Sequence, residues 1–111
     1  MAVDINDSDF EKEVIEKSKT TPVLVDFWAE WCNPCVILKP VLEKLAEEFK
    51  EKIILVKINV EKNQENASKY GVMSIPSVKL FKDGKEVDGF IGAQPEEKIR
   101  EWLEKLINSS A

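Results

Sequence analysis

Two hydrophobic periods alternate along the chain, and their order outlines an architecture. Val3 to Ile5 is a short apolar run that reads as a strand. Ser8-Asp9-Phe10-Glu11 reads as a capping box, in which the serine oxygen takes a free helix N–H and the glutamate reaches back. Phe10, Val14 and Ile15 then form a helical stripe that ends near Thr20-Thr21-Pro22. Val23 to Trp28 is apolar on both faces, as buried central strands are, apart from Asp26. A long helix is expected from Asn33-Pro34, with Leu38, Val41, Leu42, Leu45 and Phe49 on one face. Pro40 lies inside it and should bend it, because proline lacks a donor and crowds the preceding turn. Ile53 to Val60 is a second buried strand. Asn63 to Tyr70 suits a short helix stopped by Gly71. Ser77 to Phe81 and Glu86 to Ile91 flank Asp83-Gly84, a strong hairpin signal. A last helix starts at Pro95 and buries Ile99, Trp102, Leu103, Leu106 and Ile107.

The resulting order is β-α-β-α-β-α-β-β-α. Strands joined through helices are expected to run parallel with right-handed crossovers, and the closing hairpin antiparallel. This predicts an α/β fold with a mixed central β-sheet flanked by helices on both faces. At 111 residues the chain has the size of one domain, spanning 1–111, with no repeat, linker or low-complexity tract.

Composition narrows the chemistry. Sixteen basic residues against 21 acidic ones give a net charge of −5, which argues against nucleic acid or an anionic membrane as partner. The chain has no histidine, which excludes imidazole zinc sites, histidine triads and His-ligated haem. Two cysteines cannot fill a four-ligand zinc or iron–sulfur site, so no metal and no cofactor is expected. No segment approaches the roughly 20 apolar residues of a membrane span. Met1-Ala2-Val3-Asp4-Ile5 lacks the basic and apolar regions of a signal peptide, and a cytoplasmic location is expected. In that reducing compartment a permanent structural disulfide is not.

Both cysteines lie in one C-x-x-C, Cys32-Asn33-Pro34-Cys35, directly after a buried strand and at a helix start. Unpaired helix N–H groups and the positive end of the helix dipole there favour thiolate at Cys32. Cys35, one turn on, falls on the buried side. Pro34 suits the first turn, where a missing N–H costs nothing. The implied chemistry is thiol–disulfide exchange. A zinc half-site lacks further ligands, and so short a structural loop removes only roughly 2 kcal/mol of chain entropy. Asp26 interrupts an apolar strand beneath the cysteines, and burial should raise its pKa, with Lys57 on the neighbouring strand partly offsetting this. Trp28, in the strand, should pack under the site, whereas Trp31, in the loop, is placed to bind.

The segments Val25-Asp26-Phe27-Trp28-Ala29-Glu30-Trp31-Cys32-Asn33-Pro34-Cys35, Pro40, Lys57, Tyr70-Gly71-Val72, Ile75-Pro76, Leu80-Phe81-Lys82-Asp83-Gly84 and Gly92 resemble the thioredoxin family over nearly the whole chain. The resemblance implies a thioredoxin fold and a cytosolic protein-disulfide reductase serving redox homeostasis and electron transport. It implies a monomer whose partners are disulfide-containing client proteins and an NADPH-dependent thioredoxin reductase. Cys32 would be the nucleophile and Cys35 the resolving thiol, with Asp26 managing the Cys35 proton and Lys57 beside it. Trp31, Ile75, Pro76 and Gly92 would form the docking surface, with Pro76 cis and facing the cysteines. Trp28, Asn33, Pro34 and Pro40 would support the site. Asn33 stands where the family usually has glycine, Val36 where a basic residue is common, and Ser74 where glycine or alanine is frequent. The other function class compatible with the resemblance is a redox-independent binding or stabilising subunit of a larger complex.

Overall fold

The computed structural model of the chain describes residues 3–108. Met1-Ala2, part of the leader reading, lie outside the described residues. Strands β1 (Val3–Asp4), β2 (Val23–Trp28), β3 (Ile54–Asn59), β4 (Ser77–Lys82) and β5 (Lys85–Ile91) form one sheet in the order β1-β3-β2-β4-β5. The helices are α1 (Asn33–Glu48), α2 (Glu65–Lys69) and α3 (Glu96–Ile107).

Alternation along β2 sorts the core into two layers. Leu24 faces a cluster built with Leu38, Leu42 and Leu45 of α1 and Ile99 and Leu103 of α3. Val23, Val25 and Phe27 face the opposite cluster, built with Phe10, Val14 and Ala67. Both faces of the sheet are therefore covered, as the doubly apolar β2 requires. Arg100 of α3 ties the first layer together at its surface, bonding Glu48 of α1 at 2.7 and 2.9 Å and Glu96 at 2.8 Å.

Three expectations need correction. The first concerns the N-terminal helical segment. Its opening residue is Asn6, whose N–H donates to Asp9 Oδ2 at 3.0 Å, not Ser8 with Glu11. It runs as a 3₁₀ turn (Asp7–Asp9), a π-helical stretch (Glu11–Glu16) and a second 3₁₀ turn (Lys17–Lys19). Phe10, Val14 and Ser18 are all buried at strict four-residue intervals. The second concerns α3, where Pro95 is the extended residue before the helix and not its first turn.

The third is the direction of β4. It pairs antiparallel with β2, although a helix joins it to β3. A parallel return must carry the chain back along the strand. The five residues of α2 rise only about 7 Å, against about 20 Å for a six-residue strand. The chain consequently starts β4 at the end where β2 and β3 finish, with Ser77 opposite Phe27. The β4–β5 hairpin is as expected, with Asp83 (φ 53°) and Gly84 (φ 80°) both left-handed, as a tight two-residue turn demands. A bulge at Val87 separates the Leu80–Asp88 and Phe81–Glu86 pairs.

The start of α2 is capped from across the molecule. Asp7 Oδ2 accepts from the Glu65 N–H at 3.0 Å, and Asp7 Oδ1 accepts from the Asn66 N–H at 3.1 Å and Asn66 Nδ2 at 2.9 Å. The Asp7 N–H donates to Asn63 Oδ1 at 2.9 Å. Asp7→Ala should cost about 1–2 kcal/mol, the usual worth of a capping side chain. Urea melts at pH 7 check this, and an unchanged midpoint would show that the helix start finds other partners.

Candidate redox-active site

The site gathers where β2 and β3 end and β4 begins. β2 stops at Trp28, the chain turns with the Cys32 N–H bonded to Ala29 O at 3.3 Å, and α1 starts at Asn33. Cys32 is the extended residue capping α1, and its sulfur accepts the Cys35 N–H at 3.2 Å. Pro34 sits in the first turn without leaving a partner unpaired. Cys32 and Cys35 form a disulfide, with Cα atoms 5.2 Å apart.

Sequence reasoning placed Cys35 on the buried side. In this oxidised form both are buried, at 4% and 3% exposure. The bond draws both sulfurs together under Ala29, Trp28 and Ile75. Their surroundings nevertheless differ. Cys32 takes a helix N–H, while Cys35 lines a cavity of about 220 Å³ with Asp26, Lys57, Glu30 and Lys39.

Asp26 is 1% exposed, and its Oδ1 has no hydrogen-bond partner among the described residues. Burial pushes its pKa up from 3.8 to about 7; the Lys57 ammonium pulls it down, and the Asp4 carboxylate adds to the rise. Lys57 is itself buried and stands directly opposite Asp26 in the β2–β3 pairing. Its Nζ lies 4.9 Å from the centroid of the Trp28 ring, a cation–π contact. Trp28 thus packs under the site as expected.

The residues of the expected docking surface differ in exposure, and Ile75 packs against the cysteines. Trp31 is 67% exposed. Ile75 and Gly92 are half-buried and Pro76 is buried. The Ile75–Pro76 bond is cis, and Pro76 O accepts the Gly92 N–H at 2.8 Å. Pro76 therefore ties the β4 entrance to the end of β5, and Trp31 offers the open apolar face. Asn33 is exposed between the cysteines. Pro40 lies inside α1, exposed and about 12 Å along the axis from Cys32, away from the other site residues.

Sequence reasoning did not place Glu30 and Lys39 at the cavity, because surface charges look alike until a tertiary neighbour singles them out. It also passed over the exposed apolar side chains of Ile37 and Met73. With Val36 and Ile37 on the first turns of α1, the signal was available: both point away from the Leu38 stripe.

A dithiol pair at a helix start, backed by a buried acid that titrates near neutrality, defines a thiol–disulfide oxidoreductase. Comparison with known proteins agrees. The family model for thioredoxin matches residues 1–105. Thioredoxin of Rickettsia felis is 44% identical over 107 residues, covering 96% of this chain and all of the relative. Thioredoxin 1 of a Nostoc species is 43% identical over 94% of this chain and 95% of the relative. The chloroplastic M-type thioredoxin of Chlamydomonas reinhardtii is 45% identical over 94% of this chain and 73% of the relative. The chain belongs to the thioredoxin family. Among the described residues, no helix is long and apolar enough to cross a membrane.

Proposed function

We propose that the protein is a general protein-disulfide reductase of the cytoplasm, with disulfide-containing proteins as clients and an NADPH-dependent thioredoxin reductase as electron donor. The observation that carries the reading is the asymmetry of the pair: Cys32 sulfur caps a helix, and Cys35 shares a cavity with Asp26.

The Cys32 thiolate attacks one sulfur of the client disulfide. A mixed disulfide forms, and the first client sulfur leaves as a thiolate that takes a proton from solvent. Cys35 then gives its proton to the Asp26 carboxylate and attacks the Cys32 sulfur. The Cys32–Cys35 disulfide forms as the mixed disulfide breaks, and the second client thiolate leaves and is protonated. Two electrons pass from the dithiol to the client, and two from the reductase restore the dithiol. Trp31, with the half-buried Ile75 and Gly92, provides the apolar surface against which the client segment lies. Trp28, Asn33 and Pro34 shape the turn and helix start that hold the cysteines.

The test is insulin reduction with dithiothreitol or NADPH and a thioredoxin reductase as donor. The protein should accelerate precipitation of the insulin B chain, and the Cys32→Ser, Cys35→Ser double variant should not. Equal acceleration by both would leave the cysteines without a redox role.

A further inference from the structure

Asp4 lies in an exposed edge strand, yet strand register brings it into line with the buried pair at the site. β1 pairs with β3 so that Asp4 stands opposite Lys57, and β3 pairs with β2 so that Lys57 stands opposite Asp26. Partners in adjacent parallel strands project to the same face. Carboxylate, ammonium and carboxylate therefore form one row across three strands. Two strand spacings put the backbones of Asp4 and Asp26 about 10 Å apart, with Lys57 midway. Beyond Asp26 the row continues on β4 with Val78, which carries no charge. The register thus sets one lysine between an exposed acid and a buried one. Trp28, whose ring the ammonium overlies, lines both the cavity that contains Asp26 and Cys35 and a second cavity, of about 250 Å³, lined by Asp4.

We propose that Asp4 is a positioning residue for the disulfide chemistry: its charge engages the Lys57 ammonium from the solvent side, opposes a carboxylate at Asp26, and so helps to hold the proton on Asp26. The proposal rests on the reading of Asp26 as acceptor of the Cys35 proton. Burial is the main cause that raises the proton affinity of Asp26, Lys57 offsets part of that rise, and Asp4 in turn offsets part of the Lys57 effect. An acid held fully ionised is a poor donor when the proton must return, and an acid titrating near the working pH serves both directions. The effects on Asp26 have the required signs, Lys57 lowering its proton affinity and Asp4 raising it. The other charged or titratable groups facing Asp26 are Cys35 and Lys39 from α1 and Glu30 from the preceding loop, with Lys62 beside Asp4 in the second cavity. The test leaves all of these in place.

The experiment follows the Asp26 carboxyl carbon by NMR titration of the oxidised protein, in wild type, Asp4→Asn and Asp4→Glu. Removing a unit charge at this separation should lower the Asp26 midpoint by about 0.3–1 pH unit. Asp4→Glu keeps the charge and should return the midpoint to the wild-type value. The pH midpoint for resolution of a preformed mixed disulfide should move down with it in Asp4→Asn. An unchanged Asp26 midpoint in Asp4→Asn would overturn the proposal. So would an equal fall in Asp4→Glu, which would assign the effect to strand geometry and not to charge. The titration needs no turnover, so a wild-type protein inactive on insulin would count against the reductase reading and not against this row of charges.

Discussion

Cys35→Ser should stop insulin reduction and leave the protein covalently joined to its client. Cys32 keeps the features that favour its thiolate in this variant: a helix-capping position, nearby N–H donors and the helix dipole. Attack on the client disulfide therefore proceeds. What is lost is the intramolecular second step. In the wild type the two Cα atoms are 5.2 Å apart, so Cys35 sits at high effective concentration beside the mixed disulfide. Serine cannot displace sulfur, and the adduct persists until an external thiol cleaves it. Intact-mass spectrometry after quenching should find a one-to-one adduct that dithiothreitol releases. Cys32→Ser should give neither turnover nor adduct. The reverse pattern, an adduct with Cys32→Ser alone, would exchange the two roles.

Asp26→Asn should make the protein more stable at pH 7 and slower. The folded-state pKa of Asp26, about 7, lies above its ordinary value of 3.8. Between those values the native state holds more protons than the unfolded state, so stability falls as pH rises through the window. Below it both states are protonated and the penalty vanishes; above it the penalty is constant. Asparagine keeps the shape and cannot ionise. Its gain should be roughly 2–4 kcal/mol at pH 7, at about 1.4 kcal/mol per pH unit less the cost of a buried amide. Near pH 4 the gain should be almost gone. Resolution of the mixed disulfide should slow by about tenfold or more, because the Cys35 proton loses its acceptor. Denaturant melts at pH 4 and 7 read the stability, and single-turnover release of client reads the rate. A variant less stable at pH 7, or as fast as wild type, would return Asp26 to a structural role. With the expected outcome, the core carries a destabilising acid because the chemistry needs it there.

Much of this was legible along the chain. Val23 to Trp28 is apolar on both faces, as a doubly covered central strand must be, and the single charge in that run, Asp26, marks the anomaly that the buried carboxylate confirms. The position of Cys32-Asn33-Pro34-Cys35 between a strand and a helix start carried the redox chemistry. These features are local, because side-chain period and helix capping depend on neighbours within one turn or one strand. The N-terminal segment is less legible: Ser8 and Glu11 have the spacing of a capping box, but the segment starts from Asn6 and runs through 3₁₀ and π turns.

What the sequence determined by itself is therefore the inventory of elements, the α/β class with helices on both faces of a mixed sheet, and the chemical class of the pair at the head of α1. Tertiary structure alone decided the direction of β4, whose entrance brings Ile75 to the cysteines, the capping of α2 by Asp7, and the alignment of Asp4, Lys57 and Asp26. Each of these is a relation between segments far apart in sequence. A hydrophobic period specifies which face of a strand is buried and leaves its direction and its neighbour open. Those are settled only when connection length and the fit of both layers select one pairing, and that choice gives Asp26 its cavity and its two charged neighbours.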